Sequence, residues 1–472
     1  MESLTLEQPG LRWDDELFAP HGVAPGWEIE PEIDAIRNEV AKIFSTSARH
    51  MKVVFLAQGA FNRVYRVEDN QDHVYAMRVS LPVYPQHKTL AEVATLVYLE
   101  AKTTIPTPRV LTYSANCSNE IGFEYILMTF MPGMSLQPLW QHMRYENKLV
   151  IVKQLAAYNA ELFKHKFNLI GSLRLDKETM KYSMSQMAEL DFFYYRRIHD
   201  PISKGPFDTA YEMLESHLQH VLAEMKRCSV EVDDDDDSSM TSEDKKPDLE
   251  AELGERTSRS YGKGSDVQTQ THSDGNKTRE GDEESERNEV AEDAGEDIQI
   301  DHIKRILQHL TEVIYDLEEE APIDKRTVLT HTDLNANNIL VDPETLKITA
   351  VIDWEMVSAL PVGLATQIPC LLKYGDKARH LEPVREEYSN LEGDEIDDPE
   401  NALHEGKNML YWIHLEEHHN TILERAYKQE MRRICPKWME AYKHGEGIRD
   451  IYELVQKTDS WFDTRRVAAW LQ

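Results

Sequence analysis

Residues 331–340, HTDLNANNIL, combine side chains that could support phosphoryl transfer. A hydroxyl that attacks a phosphoryl group needs a positioned acceptor for its proton, and the Asp333 carboxylate could be that acceptor. The phosphates need a metal ion held by hard oxygen ligands, and Asn338 offers an amide oxygen. In the alternative interpretation, Asp333 and Asn338 only form turns and cap backbone groups. Because short motifs match by chance, this segment alone leaves both interpretations open.

The segment after this loop predicts a β-hairpin. Two short β-branched runs, 339–341 and 348–352, are joined by a turn at Asp342–Pro343. A hairpin here would carry Asp353 back beside the loop. Two carboxylates and one amide oxygen in a small volume favour a Mg²⁺ and phosphate site, because a lone buried carboxylate needs a cation or hydrogen bonds to stay ionised.

The region before Gly133 predicts strands and one helix. Three β-rich runs, the third at 74–79, indicate a β-meander with Gly59 in its first turn. Gly59 could let backbone amides approach phosphates, or it could belong to an ordinary hairpin turn. The segment KTLAEVATLVYLE, residues 88–100, predicts a helix in which Glu92 falls early.

A break in the chain separates these strands from a helical region. The apolar run YILMTFMPGMSL predicts a strand that stops at Pro132–Gly133. Beyond the break, apolar residues recur at helical spacing: Leu149, Val152, Leu155, Ala156, Leu162 and Phe163. Strands and one helix followed by a helical domain indicate an α+β, two-lobed layout with a cleft at the break.

Charge and composition exclude several classes of partner. The chain has 472 residues and a formal net charge of −33, which argues against unaided binding to nucleic acids or to an anionic membrane surface. It shows neither a secretory signal nor an apolar stretch of the roughly 20 residues that span a bilayer. Its four cysteines are scattered without a C-x-x-C pair, so we expect neither a disulfide framework nor a zinc cluster. We therefore predict a soluble, cytoplasmic protein.

Much of the negative charge lies in residues 229–300. This segment holds 24 Asp and Glu against 8 Lys and Arg, and it has little apolar periodicity. It cannot bury enough apolar surface to offset the entropy of ordering, so we predict a disordered acidic insertion. The insertion could attract a basic protein partner, or be phosphorylated at Ser238, Ser239 or Ser242. A solvated spacer is the favoured interpretation.

Taken together, these patterns resemble the aminoglycoside phosphotransferase-like small-molecule kinases, relatives of the protein kinases. That family has an H-G-D-x-x-x-x-N loop followed by a hairpin that ends in I-D-W-E. Here the corresponding residues are His331, Thr332, Asp333 and Asn338, then Ile352, Asp353, Trp354 and Glu355. QGAFNRVYRV resembles the family's phosphate-covering loop, EVATLVYL its helix with a pairing glutamate, and ILMTFMPG its hinge. Apart from the acidic insertion, the resemblance covers roughly residues 50–370.

The resemblance implies a protein kinase-like fold, with a β-rich N-terminal lobe, a mainly helical C-terminal lobe, and ATP- and Mg²⁺-dependent phosphoryl transfer to a hydroxyl of a small molecule. It implies that Asp333 is the catalytic base, that Asn338 and Asp353 are Mg²⁺ ligands, and that His331 braces the loop. The implied ATP-binding residues are Gly59, Arg78, Glu92, Met128 and Phe130. Phe55 and Leu127 could line the adenine pocket, but their apolar character favours a core role.

The implied organisation has six segments. They are an N-terminal extension (1–49), the nucleotide-binding N-terminal lobe (50–133), the first part of the helical C-terminal lobe (134–228), the acidic insertion (229–300), the part of that lobe with the loop and hairpin (301–370), and its C-terminal helical part (371–472).

Two departures from the family pattern favour an alternative. Arg78 stands where the family usually has lysine, and exchange of arginine with lysine is not neutral at a phosphate site. Thr332 replaces the usual glycine. A pseudokinase that binds nucleotide without transfer, or a scaffold that works through its acidic segment, therefore stays open.

One further pair of residues could be taken for a metal site. His414 and His418 are four residues apart, on one face of a predicted helix. The order is not H-E-x-x-H, since Leu415 holds the second place. A solvated or packed helix is the favoured interpretation.

Overall fold

The structure is a computed structural model that describes residues 7–16, 22–236, 305, 308–309, 311–313, 326–373, 378–390 and 408–457. Most of the predicted acidic insertion lies outside these residues. Its first residues are described, and they belong to a helix that continues to Asp236. The chain forms two compact units, and the second, Leu222–Arg305, contains the end of that helix.

The N-terminal lobe is built on a five-stranded antiparallel sheet. In spatial order its strands are β3, β4, β5, β7 and β6. Their bounds are Lys52–Gln58 for β3, Asn62–Glu68 for β4, Val74–Ser80 for β5, Val110–Ser114 for β6 and Glu124–Thr129 for β7. The predicted meander and the strand before Pro132–Gly133 are confirmed. In the register of β4 and β5, Asn62 lies opposite Ser80.

Helix α2, His87–Lys102, confirms the predicted helix at 88–100. It is buried on several faces, since Ala91, Val93 and Leu99 each belong to a different apolar cluster. A helix surrounded in this way leaves little room for solvent, and any charged side chain on it needs a partner. Lys88 and Glu92 are such side chains, being 1% and 2% exposed.

The described part of the N-terminal extension belongs to the N-terminal lobe. It forms a hairpin of β1, Leu11–Asp15, and β2, Val23–Trp27, followed by helix α1, Ile33–Ile43. Ile36 and Val40, one turn apart on α1, are fully buried in the same cluster as the sheet residues. These residues therefore complete the core of the N-terminal lobe.

The C-terminal lobe is mainly helical, which confirms the predicted α+β, two-lobed fold. Its helices are α3 (Gln137–Trp140), α4 (Tyr145–Leu162), α5 (Leu190–Phe193), α6 (Ala210–Asp236), α7 (Val362–Ala365), α8 (Met409–Ile434), α9 (Pro436–His444) and α10 (Glu446–Lys457). Its short strands are β8 (Met134–Ser135), β9 (Ser172–Asp176), β10 (Lys181–Ser185), β11 (Thr327–Thr330), β12 (Ile339–Val341), β13 (Ile348–Val351) and β14 (Ser358–Pro361).

One apolar core supports the loop and hairpin in this lobe. Leu155 of α4, Leu423 of α8 and Ile339 of β12 are buried in it with Trp354, which follows the hairpin. The Trp354 indole Nε1 donates a hydrogen bond of 2.9 Å to the Val351 carbonyl. Packing of this kind holds the hairpin at one position relative to the helices.

The two histidines of α8 pack against another segment of the lobe. His414 Nδ1 lies 2.6 Å from the Tyr388 hydroxyl, and His418 Nδ1 lies 3.2 Å from the Arg379 carbonyl. The packed-helix interpretation is confirmed. In the part of the chain that the structure describes, no group of three or more His, Cys, Asp or Glu side chains has the geometry to hold a metal.

We searched the described helices for one that could span a membrane. None of them combines the length and the apolar character that a membrane-spanning helix needs.

Candidate functional site

The loop of residues 331–338 presents the Asp333 carboxylate in a defined orientation. Asn335 Nδ2 donates to Asp333 Oδ1 at 2.7 Å, and Asn338 Nδ2 donates to Asp333 Oδ2 at 3.0 Å. Asn338 Nδ2 is also 2.9 Å from the Asp333 carbonyl oxygen. Asp333 is exposed while Asn338 is buried. Two amides thus hold an exposed carboxylate in place, and this arrangement suits a group that receives a proton from a bound hydroxyl.

His331 connects the loop to the end of the hairpin. Its Nε2 lies 3.0 Å from the Ile352 carbonyl, and its ring centroid is 4.8 Å from that of Trp354. Because a carbonyl only accepts, Nε2 carries the proton in this contact. Burial lowers the pKa of His331, so the ring is neutral near pH 7. These contacts hold the loop against the end of the hairpin, which agrees with the implied role of His331 in bracing the loop.

The hairpin forms as predicted and brings Asp353 back to the loop. Ile339 of β12 pairs with Val351 of β13, and the Ile352 amide donates to the Asn338 carbonyl at 2.9 Å. Asp353, the next residue, has a φ of 63°, a left-handed conformation that is uncommon outside glycine. Such strained residues concentrate at functional sites, because the surrounding structure must hold them in place.

Arg78 joins the sheet, helix α2 and the end of the hairpin. Its Nη1 is 2.6 Å from Glu92 Oε1, which is the predicted pair. Its Nη2 is 2.8 Å from Asp353 Oδ1 and 2.8 Å from Glu355 Oε2. The guanidinium fork therefore spans three carboxylates, where a lysine would present one ammonium group.

Glu355 is the most heavily contacted of these carboxylates, and sequence reasoning did not single it out. Lys88 Nζ is 2.7 Å from Glu355 Oε2, and Asn62 Nδ2 is 2.9 Å from both Glu355 oxygens. Lys88 precedes Glu92 by one helical turn, so their spacing in the sequence could have indicated that both side chains lie on the same face of α2. The contacts of Asn62 and Glu355 join residues far apart in the chain, so no local pattern predicts them.

Burial and charge act in opposite directions on these groups. Burial is the largest influence on Glu355, yet Arg78 and Lys88 together lower its pKa to about 2, so it is ionised. For Glu92 burial dominates the opposing effect of Arg78 and raises its pKa to about 7. Its second oxygen, Oε2, is buried without a hydrogen-bond partner. Burial also opposes the charge on Arg78, but the neighbouring carboxylates raise the pKa of its guanidinium.

The donor set at the loop and hairpin fits Mg²⁺. Asn338 turns its amide nitrogen to Asp333, so its amide oxygen is not used in that contact. The Asp353 carboxylate uses Oδ1 for Arg78, and its side chain is 36% exposed. Mg²⁺ usually takes one or two protein oxygen ligands and keeps waters and phosphate oxygens as the others. These two residues could therefore hold the ion in the predicted way.

The remaining predicted nucleotide-binding residues lie along the sheet and the break. Gly59 is exposed in the turn between β3 and β4, where its amide donates to the Asn62 carbonyl at 2.9 Å. Met128 is 6% exposed at the end of β7, and Phe130 lies under the Arg66 guanidinium, 5.4 Å from the ring centroid. None of these contacts by itself identifies a nucleotide pocket.

The core role favoured for Phe55 is wrong, whereas that for Leu127 is confirmed. Leu127 is fully buried on a strand inside the sheet, but Phe55 is 47% exposed. Phe55 lies on the edge strand β3, next to an irregularity in the register between Phe55 and Ala57. An edge strand has a neighbour on one side only, so apolar character alone did not ensure burial.

Gly133 is required where the break packs on the hairpin. Its φ is +112°, and a Cβ there would overlap Thr349 Oγ1 and lie 2.9 Å from the Val341 carbonyl oxygen. We therefore predict that Gly133→Ala lowers the free energy of unfolding by roughly 1–3 kcal/mol. Gly59→Ala is the matched control, because a Cβ at Gly59 meets nothing within 4 Å. Equal unfolding free energies of the two variants in urea denaturation would contradict the prediction.

A family model described as the phosphotransferase enzyme family matches residues 52–362, more than half of the chain. A subtelomeric hrmA-associated cluster protein of Aspergillus fumigatus is 30% identical over 162 residues, 32% of this chain and 32% of that protein. Altered inheritance of mitochondria protein 9, mitochondrial, of Meyerozyma guilliermondii is 28% identical over 127 residues, 26% of this chain and 21% of that protein. The matched part thus spans about a third or less of these relatives.

Among solved structures, an ADP-bound aminoglycoside phosphotransferase is 9% identical, with a TM-score of 0.43, over 92% of this chain and 95% of that chain. An ethanolamine kinase of Plasmodium vivax is 13% identical, with a TM-score of 0.32, over 89% of this chain and 80% of that chain.

Proposed function

We propose that this chain, which belongs to the phosphotransferase enzyme family, transfers the γ-phosphoryl group of ATP to a hydroxyl of a small molecule. The observation that carries the proposal is the Arg78 fork, which ties Glu92 of α2 to Asp353 at the end of the hairpin. It is supported by the nearby loop, in which Asn338 holds Asp333. Membership of the family supports the reaction class, and the contacts of these side chains support this position for the site.

In this proposal each side chain has one task. Asp333 accepts the proton of the attacking hydroxyl while Asn335 and Asn338 keep its carboxylate oriented. Asn338 and Asp353 would hold Mg²⁺, which would neutralise charge on the transferred phosphoryl group. Arg78 binds the α- and β-phosphates, and Glu92 holds the arginine in place. Most of the rate enhancement then comes from positioning and electrostatics.

A panel of small-molecule alcohols and amino alcohols, incubated with γ-³²P-ATP and Mg²⁺, tests this function. We expect label to move to at least one acceptor. Hydrolysis of ATP without an acceptor would support the site but leave the substrate open. Binding of ATP with neither hydrolysis nor transfer would favour the second candidate, a pseudokinase.

The pseudokinase has one specific observation in its favour. Both Nη atoms of Arg78 are engaged by carboxylates, and Glu355 is among them. An arginine held in this way must exchange a partner before it can bind phosphate. Nucleotide binding that is tight but independent of Mg²⁺ would agree with that function.

Arg78→Lys tests whether the fork itself is needed. Lysine cannot reach Glu92 and the two hairpin carboxylates together, so a buried carboxylate would lose a charged hydrogen bond. We expect the Kd for Mg·ATP to rise about tenfold. Arg12→Lys, on the exposed side of the N-terminal hairpin, is the control and should bind as wild type does. Wild-type affinity of Arg78→Lys in calorimetry would contradict this prediction.

A cytoplasmic location also remains a proposal. The M. guilliermondii relative is named as a mitochondrial protein. Fractionation of cells tests the location, and recovery of this chain with mitochondria would contradict it.

A further inference from the structure

Lys88 lies at the centre of a buried cluster that the proposed function does not use. We call the side chains of Asn62, Ser80, Lys88 and Glu355 the lysine cluster. Lys88 Nζ is 2.7 Å from Glu355 Oε2 and 3.0 Å from Asn62 Oδ1, and the side chain is almost fully buried. Burying an ammonium group is costly unless it is paired and hydrogen-bonded, and here it is both.

The amide of Asn62 can have only one orientation in this cluster. Its oxygen accepts from the Ser80 hydroxyl at 2.8 Å and from Lys88, which are both donors. Its nitrogen therefore faces Glu355, to which it donates at 2.9 Å. Asn62 of the sheet and Lys88 of helix α2 thus hold the Glu355 carboxylate from two sides.

Arg78 and Lys88 share one oxygen of Glu355. Arg78 Nη2 is 2.8 Å from Glu355 Oε2 and also 2.8 Å from Asp353 Oδ1. To bind a phosphate, Nη2 has to give up one of these partners. Glu355 can lose Arg78 and still keep Lys88 and Asn62. Without Lys88, the same exchange would strip a buried carboxylate of its remaining cation, which is strongly unfavourable.

The charges around Arg78 also make Lys88 important for releasing the guanidinium. Three carboxylates, Glu92, Asp353 and Glu355, surround Arg78, and Lys88 is the second cation bound to this group. If Lys88 were neutral, Arg78 alone would face all three. The carboxylates would then hold its guanidinium more strongly than they do when Lys88 shares them.

We propose that Lys88 is a positioning residue of the nucleotide site: it neutralises Glu355 and thereby allows Arg78 to exchange a protein carboxylate for a phosphate oxygen. This inference rests on the proposed function, because it assumes that Arg78 binds the nucleotide. Lys88 itself does not touch the nucleotide. It acts through Glu355 and Arg78.

The test compares binding of Mg·ATP and of adenosine, by calorimetry, to full-length wild type and to four variants. Lys88→Met should weaken Mg·ATP binding roughly 10- to 100-fold and leave adenosine binding unchanged, because only the phosphates need Arg78. Lys88→Arg keeps the charge and should recover much of the affinity. Lys102→Met removes an exposed lysine from the last turn of the same helix and should bind as wild type does.

The double variant Lys88→Met/Glu355→Gln separates neutralisation from direct contact. It removes a cation and an anion together, so it should bind Mg·ATP more tightly than Lys88→Met does. Affinity as low as that of Lys88→Met would mean that Lys88 reaches the phosphates itself, and it would overturn the inference. If Lys88→Met does not fold, the double variant decides: Mg·ATP binding supports the role, and its loss overturns it.

The remaining outcomes are also decisive. Equal losses of ATP and adenosine affinity in Lys88→Met would indicate a purely structural role and overturn the inference. Wild-type ATP affinity of Lys88→Met would overturn it while leaving the proposed function intact. Failure of the wild-type protein to bind any adenine nucleotide would overturn the proposed function and this inference together.

Discussion

Asp333→Asn is expected to reduce phosphoryl transfer by roughly 10²–10⁴-fold, because the carboxylate that receives the substrate proton is lost. Nucleotide binding should change little, since Asp333 contacts neither Arg78 nor Glu92. The fold should persist because Asp333 is exposed, although one contact with Asn335 or Asn338 becomes unfavourable. Steady-state kinetics, once an acceptor is known, gives kcat and KM for the comparison. Until then, hydrolysis of ATP reports the loss.

Glu178→Gln is the control for this substitution. It also converts an exposed carboxylate to an amide, but in the turn between β9 and β10. Its kcat should equal that of wild type. A transfer rate for Asp333→Asn within a few-fold of wild type would refute the assignment of Asp333 as the base.

Asp353→Asn is expected to remove the dependence of ATP binding on Mg²⁺ and to lower turnover by roughly 100-fold or more. Of the two proposed metal ligands only Asp353 is anionic, and the substitution replaces its carboxylate by a neutral amide that binds Mg²⁺ far more weakly. Arg78 would retain Glu92 and Glu355, so the two lobes should stay connected. Calorimetric titration of ATP with and without Mg²⁺ measures the effect.

The matched control is Glu344→Gln, which removes an exposed carboxylate from the turn of the same hairpin. It should keep the full Mg²⁺ dependence. If Asp353→Asn bound Mg·ATP as wild type does, the Asp353 carboxylate would not be the anionic ligand of the metal.

The local parts of the site could be predicted from sequence. The hairpin after the loop follows from two β-branched runs around Asp342–Pro343, and it returns Asp353 as expected. The resemblance to the kinase family predicted the contact of Arg78, on the third strand, with Glu92, which lies early in α2. The hairpin depends on a short-range pattern, which is informative where strands and turns are short, whereas the contact of Arg78 with Glu92 came from the resemblance.

The parts that were missed depend on tertiary packing. Glu355 meets Asn62 and Lys88 across 293 and 267 residues, a distance over which no periodicity carries information. Phe55 looked like a core residue, but the burial of its side chain depends on which other part of the chain covers the edge strand. Residues 1–49 looked like an extension, yet Ile36 and Val40 complete the N-terminal core. Burial is decided by the whole fold, which the local sequence does not contain.

The most direct test of the proposed kinase function is the binding and turnover of ATP by the purified wild-type chain, measured with and without Mg²⁺. We expect ATP to bind with an affinity that rises with Mg²⁺, and slow release of inorganic phosphate that requires the metal. Absence of ATP binding under both conditions would contradict the proposal, and it would leave this chain with the fold of a phosphotransferase but without its chemistry.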